Sequence, residues 1–156
     1  MKRIILIRHA QAEDPLISQK DFDRPLTIKG VSDAMHQAAK TPMDGYVHLY
    51  HSAAQRTSET ARAFANHFQK IQLHSRKDLY NADLNQLLEI LEELWEQEQI
   101  ILVAHNPGIT QLYFHLTGEW DAFEPCTCAE LLFSNPNPLD NLKSSAQKIY
   151  FAHPQS

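Results

Sequence analysis

Apolar residues along this chain fall into two alternating patterns. Residues 2–7 hold an unbroken run of Ile4, Ile5, Leu6 and Ile7, expected of a strand buried on both faces and central in a sheet. Val31, Ala34, Met35 and Ala38 then recur at helical spacing and predict a helix entered through Thr27 as N-cap. Residues 46–51 read as a second strand. Ser52, with Gln55 three positions on, matches a capping box, and Ala61, Phe64, Ala65 and Phe68 supply the stripe of a second helix. A short strand follows at 71–74. Asp83 and Gln86 form another capping box, opening a helix striped by Leu84, Leu87, Leu88, Leu91 and Trp95. Residues 100–104 are again a buried-strand run. It leads into His105-Asn106-Pro107-Gly108, where Asn106 suits an N-cap and Pro107 a first helical position, before Ile109, Leu112, Tyr113 and Leu116 and a stop at Gly118. Residues 129–133 and 148–152 are expected to be terminal strands separated by the loop NPNPLDNLKSSAQ, with HPQS a loose tail.

Strands alternating with helices predict one α/β domain over residues 1–156: a three-layer sandwich with a mostly parallel central sheet, helices on both faces and an antiparallel edge strand. In such sheets ligands bind beyond the carboxyl ends of the strands. Arg8 and His9 leave the end of the first strand, Arg56 sits in the first helical turn after the second, and His105 leaves the end of the 100–104 strand. Three separate junctions therefore bring two arginines and two histidines to one edge. Helix N-termini there add backbone N–H groups and positive partial charge, so the expected ligand is an anion, phosphate above all.

Charge and composition narrow the alternatives. The formal net charge of −5, with no basic segment interleaved with aromatics, argues against a nucleic-acid partner. No apolar run approaches the roughly 18 residues of a membrane helix, and no signal-peptide pattern opens the chain, so a cytoplasmic protein is expected. Cys126 and Cys128 then read as reduced thiols. The nine histidines are scattered without H-E-x-x-H spacing, and His48 and His51 should point to opposite faces of their strand. Neither a metal nor another cofactor is expected.

RHA at Arg8 to Ala10, SAAQRTSETA after the second strand and AHNPG late in the chain together resemble the signature of the histidine phosphatase superfamily, also called phosphoglycerate-mutase-like. The short length and DRPLTIKG at Asp23 to Gly30 make the chain most similar to the SixA-type branch of small phosphohistidine phosphatases. The family's first motif usually has glycine where this chain has Ala10. The resemblance implies that His9 attacks phosphorus and forms a phosphohistidine intermediate that water hydrolyses. It further implies that Arg8 and Arg56 hold phosphoryl oxygens, that His105 donates to another oxygen, and that Arg24 is a further ligand. Each residue also has an ordinary reading: Arg56 could pair with Glu59 or Asp83, and Arg24 with Asp21 or Asp23.

A phosphomonoesterase on this frame needs an acid for the departing alkoxide, and Asp83 or Glu13 could serve, although the spacing of Asp83 suits a helix cap better. An imidazole leaves phosphorus more easily, and the absence of a long insertion to cover the pocket suits a phosphorylated protein side chain. The expected function is thus a metal-independent phosphatase acting on protein phosphohistidine. A small-metabolite or aryl phosphomonoesterase and a phosphate-binding module without turnover remain alternatives. Trp120 and Phe123 could line a partner-docking surface or tuck into the core edge.

Overall fold

In the computed structural model, which describes residues 2–41, 43–134 and 145–155, six strands build one sheet in the order β3-β2-β4-β1-β5-β6. They are β1 (Lys2–Arg8), β2 (Val47–Ser52), β3 (Ile71–Arg76), β4 (Gln99–Ala104), β5 (Cys128–Phe133) and β6 (Ala146–Ala152), each within two residues of its predicted bounds. The helices are α1 (Ile28–Lys40), α2 (Gln55–His67), α3 (Leu84–Leu94) and α4 (Gly108–Thr117). β3, β2, β4 and β1 run parallel, whereas β5 is antiparallel to β1 and β6 antiparallel to β5, which makes one margin of the sheet antiparallel. The loop predicted between β5 and β6 lies largely outside the described residues.

Both faces of the parallel strands are covered, which is why their sequence does not alternate. Ile5, Ile7, Leu49, Ile101 and Val103 pack against Ala38 of α1 and Ala61 and Phe64 of α2. Ile4, Leu6, Ile100, Leu102, Ala129 and Leu131 pack on the other face against α3 and α4. Neighbouring strands β1 and β4 thus feed helices on opposite faces, and at such a switch point a crevice opens at the carboxyl edge.

Local signals held at several helix ends. Thr27 accepts from the Gly30 N–H as the N-cap of α1, Asp83 and Gln86 form the reciprocal capping box of α3, and Gly118 closes α4 in the left-handed region at φ 78°. Three expectations are corrected. Ser52 is the last residue of β2 rather than a cap: α2 begins after Ala54, and no side chain caps it. Asn106 does not cap α4 either, since its amide donates to the Phe123 carbonyl while its oxygen accepts from Thr110, and Pro107 stands one position before the helix. On α1, Val31 and Met35 are exposed and the buried polar residues are Asp33 and Gln37. Gln37 is drawn inward because its amide satisfies the carbonyls of Cys126 and Ala152, compensation that apolar periodicity does not register. In the tail, His153 is tied to Thr127 at 2.7 Å and stacks edge-on against Phe151.

Candidate active site

β1, β4 and β2 are adjacent, so His9, His105 and Ser52 emerge side by side at the carboxyl edge, with Arg56 in the first turn of α2. The rings of His9 and His105 lie 5.4 Å apart, and Arg8, Arg24 and Arg56 all act electrostatically on His9. The four residues expected to meet do meet. His9, His105 and Arg56 are buried, with exposures of 9, 3 and 4%.

His9 is held by the backbone on which it sits. Its Nδ1 lies 2.7 Å from the Ala10 carbonyl, an oxygen that can only accept, so Nδ1 carries the proton and Nε2 presents its lone pair. The Ala10 N–H in turn donates to Thr60 Oγ1, whose hydroxyl donates to the Arg56 carbonyl. This chain of bonds fixes the His9 segment to the helix that carries Arg56. Thr60 is a site residue that sequence reasoning missed, because a threonine inside a helix gives no local signal. Ala10 is fully buried and its φ is not positive, so this position requires a small residue rather than glycine, and alanine meets that need.

His105 pairs with Ser52 through Nε2 and Oγ at 2.8 Å. His105 Nδ1 is buried without a partner, and it carries the ring proton in the tautomer in which the Ser52 hydroxyl donates to Nε2. Arg8 uses Nη1 to hold the Phe123 carbonyl at 2.8 Å, which gives the buried Phe123 a structural place and leaves Trp120 exposed beside Phe114. Among the described residues, five buried side-chain polar atoms lack a hydrogen-bond partner, and three of them are Arg8 Nε, Arg56 Nε and His105 Nδ1. Unpartnered buried polar atoms are expensive, and an anion bound among these residues would satisfy them.

Arg24 joins the cluster through Asp21: Arg24 Nη1 and Arg56 Nη2 reach its two carboxylate oxygens at 2.9 and 3.0 Å. The ordinary reading of Arg24 is the one seen, an ion pair with Asp21, and that partner is also the partner of Arg56. Arg56 pairs with neither Glu59 nor Asp83; Glu59 accepts from the Leu26 N–H and Asp83 is committed to the α3 cap. Glu13 is exposed, and its main-chain carbonyl accepts from Arg24 Nε. Neither carboxylate has a polar contact with His9 or His105.

Among the described residues, no three His, Cys, Asp or Glu side chains are grouped so as to hold a metal ion. His48 and His51 do face opposite sides: His48 meets His74 at 3.0 Å, while His51 turns toward Ser58 of α2. Cys126 and Cys128 are free and buried.

Burial is the main cause that pushes His9 down to about 4, opposed by the Ala10 carbonyl and reinforced by the guanidinium of Arg56. The same cause, with His9 and Arg56 next, pushes His105 down to about 3. Both rings are therefore neutral across the physiological range. We expect both to stay neutral down to pH 5 when followed by nitrogen chemical shifts; a midpoint near 6.5 for either would contradict this environment. Unfolded histidine titrates near 6.5, so between there and the folded values the unfolded chain binds more protons. Stability should accordingly be level above pH 7 and fall by several kcal/mol on acidification toward pH 4.

Fold and site together define the class: a three-layer α/β protein that gathers arginines around two neutral imidazoles at the carboxyl edge of its sheet. A model of the histidine phosphatase superfamily (branch 1) matches residues 4–90, more than half of the chain, and the protein belongs to that superfamily. No curated protein sequence matches it. Its fold is similar to that of a candidate phosphohistidine phosphatase SixA from Agrobacterium tumefaciens, with a TM-score of 0.82 and 24% identity over 98% of each chain. It is also similar to the protein histidine phosphatase SixA complexed with tungstate, with a TM-score of 0.77 and 17% identity over 97% of each chain. A mycobacterial glucosyl-3-phosphoglycerate phosphatase shares the fold at a TM-score of 0.71 and 13% identity over 95% of this chain and 97% of that one. At these identities the likeness establishes the fold. Among the described residues, no helix is long and apolar enough to cross a membrane.

Proposed function

We propose that this chain is a metal-independent phosphatase that transfers a phosphoryl group from protein phosphohistidine to His9 and then to water. The observation that supports it best is the pairing of a lone-pair-bearing His9 Nε2 with the three unpartnered buried donors of Arg8, Arg56 and His105. In the first step Nε2 attacks phosphorus as the bond from phosphorus to the leaving imidazole nitrogen breaks. Water then attacks the phosphohistidine, releasing inorganic phosphate and returning Nε2 to its lone-pair state. Arg8 and Arg56 would hold phosphoryl oxygens, with Arg24 at the rim, and His105 Nδ1–H would donate to a third oxygen as charge spreads during transfer. No metal ion is needed to supply positive charge where guanidinium groups already stand.

The leaving group separates phosphohistidine from a metabolite ester. A positioned acid is worth about 10² to 10⁴ in rate to an alkoxide, whereas Asp83 is engaged in the α3 cap and Glu13 is exposed. A phosphoimidazole donor needs far less help. SixA-type proteins are phosphohistidine phosphatases by description, and a cytoplasmic setting fits the free thiols of Cys126 and Cys128.

Steady-state kinetics on phosphoimidazole, an aryl phosphate and an alkyl phosphate test the reading. The expected kcat/KM for phosphoimidazole exceeds that for the alkyl ester by about 100-fold or more. Asp83→Asn should leave turnover intact and change stability little, because asparagine caps a helix about as well as aspartate, and a chelator should have no effect. Preference for the alkyl ester, lost in Asp83→Asn, would instead mark a phosphomonoesterase. Phosphate binding without turnover of any donor would mark a binding module.

A further inference from the structure

Asp21 stands in a one-turn 3-10 helix, Asp21–Asp23, in a stretch with no hydrophobic period. It nonetheless collects more of the site's donors than any other residue described above. Arg24 Nη1 reaches Oδ1 at 2.9 Å, Arg56 Nη2 reaches Oδ2 at 3.0 Å, and the Tyr80 hydroxyl donates to Oδ2 at 2.5 Å. The main-chain carbonyl of Asp21 accepts from Arg56 Nη1 at 2.8 Å. Both terminal nitrogens of Arg56 are thus turned toward Asp21, and its Nε edge is left buried and unpartnered. Tyr80 arrives from the far margin of the sheet, after β3 and a second 3-10 turn, Lys77–Leu79. Its ring lies edge-on to His105 with centroids 5.5 Å apart and 5.9 Å from the Arg56 guanidinium carbon. Phe22, next to Asp21, packs edge-on against that ring at 5.1 Å.

We infer that Asp21 and Tyr80 form a positioning pair for phosphoryl transfer: Asp21 sets the orientation of the Arg56 and Arg24 forks, and Tyr80 holds Asp21 while bracing the His105 ring. The inference rests on the phosphatase reading. A carboxylate among arginines could instead be an internal anion occupying the phosphoryl seat until substrate displaces it. The contacts argue otherwise, because the carboxylate takes up Nη groups, whereas Arg8 Nε, Arg56 Nε and His105 Nδ1 remain unpartnered. Asp21 therefore lies beside the seat. The Tyr80 hydrogen bond, ahead of those from the arginines, holds the Asp21 carboxyl well below the usual carboxylate range, so it stays an anion and has no proton to give a leaving group. Preorganised donors act on developing charge, so loosening them should register in the transition state more than in the ground state.

The test compares wild type with Tyr80→Phe, Asp21→Asn and the double variant, measuring kcat and KM on an aryl phosphate and, separately, affinity for inorganic phosphate and orthovanadate. The expected result for Asp21→Asn is a kcat lower by about 10- to 100-fold with KM changed less than about 3-fold. Orthovanadate should weaken more than inorganic phosphate. Tyr80→Phe, which loses only a hydroxyl, should show the same split to a smaller degree, and the double variant should be no worse than Asp21→Asn, as coupled residues behave. Tighter inorganic phosphate with kcat unchanged or raised in Asp21→Asn would overturn the inference in favour of a blocking anion. Additive losses in the double variant would overturn the pairing. If the wild type binds oxyanions without turning over, the phosphatase reading fails, while the two binding affinities still decide whether Asp21 positions or blocks.

Discussion

Replacing His9 with alanine is expected to lower turnover of a phosphoimidazole donor by about 10⁴-fold or more, the scale on which loss of a covalent nucleophile acts. The variant should also fail to acquire label from a radioactive phosphodonor, whereas the wild type should carry label that survives alkali and is lost in acid. The reason lies in the tautomer. Nδ1 is committed to the Ala10 carbonyl, so Nε2 is the ring nitrogen left to attack, while His105 turns its Nε2 to Ser52. Affinity for inorganic phosphate should fall only a few-fold, because a neutral ring is removed while Arg8, Arg56 and His105 remain. Stable label on the alanine variant, or turnover within tenfold of wild type, would place the chemistry elsewhere.

The parts of this site that were legible in the sequence are those that sit where a regular element ends. Ile4 to Ile7 reads as a doubly covered strand, and a strand of that kind delivers whatever follows it, here Arg8 and His9, to the carboxyl edge. His105 follows from the same argument, and Arg56 from the helix start after β2. Ser52 was misread because its spacing to Gln55 mimics a cap; the Oγ instead faces His105 across the gap between two parallel strands, a contact set by sheet order and not by local spacing. Met35 and Val31 misled for the opposite reason, since α1 turns toward the sheet the polar Gln37, whose amide completes two carbonyls of β5's approach and β6's end. For Asp21 the local spacing to Arg24 gave the ion pair between them but nothing of its longer-range partners. Its partners Arg56 and Tyr80 are 35 and 59 residues away and come together only when the loop after β1 folds over α2.

Arg56→Ala should cost about 10³-fold in kcat/KM, between the loss of one oxyanion donor and the loss of an arginine that neutralises a transferring phosphoryl group. Arg56→Lys should recover less than tenfold of that, because an ammonium cannot keep two nitrogens on Asp21 and still offer a third toward the pocket. A second consequence follows from charge alone. The Arg56 guanidinium is one of the causes that depress His9 and His105, so in Arg56→Ala both rings should titrate at higher pH than in the wild type, with burial still keeping them below the ordinary histidine value. The rate loss and the upward titration must appear together, since both arise from one positive charge facing the two imidazoles. A large rate loss with unmoved histidine midpoints would mean that Arg56 acts only by holding Asp21 and the first turn of α2. Unchanged kinetics with moved midpoints would mean that the phosphoryl oxygens are bound by Arg8 and Arg24 without it.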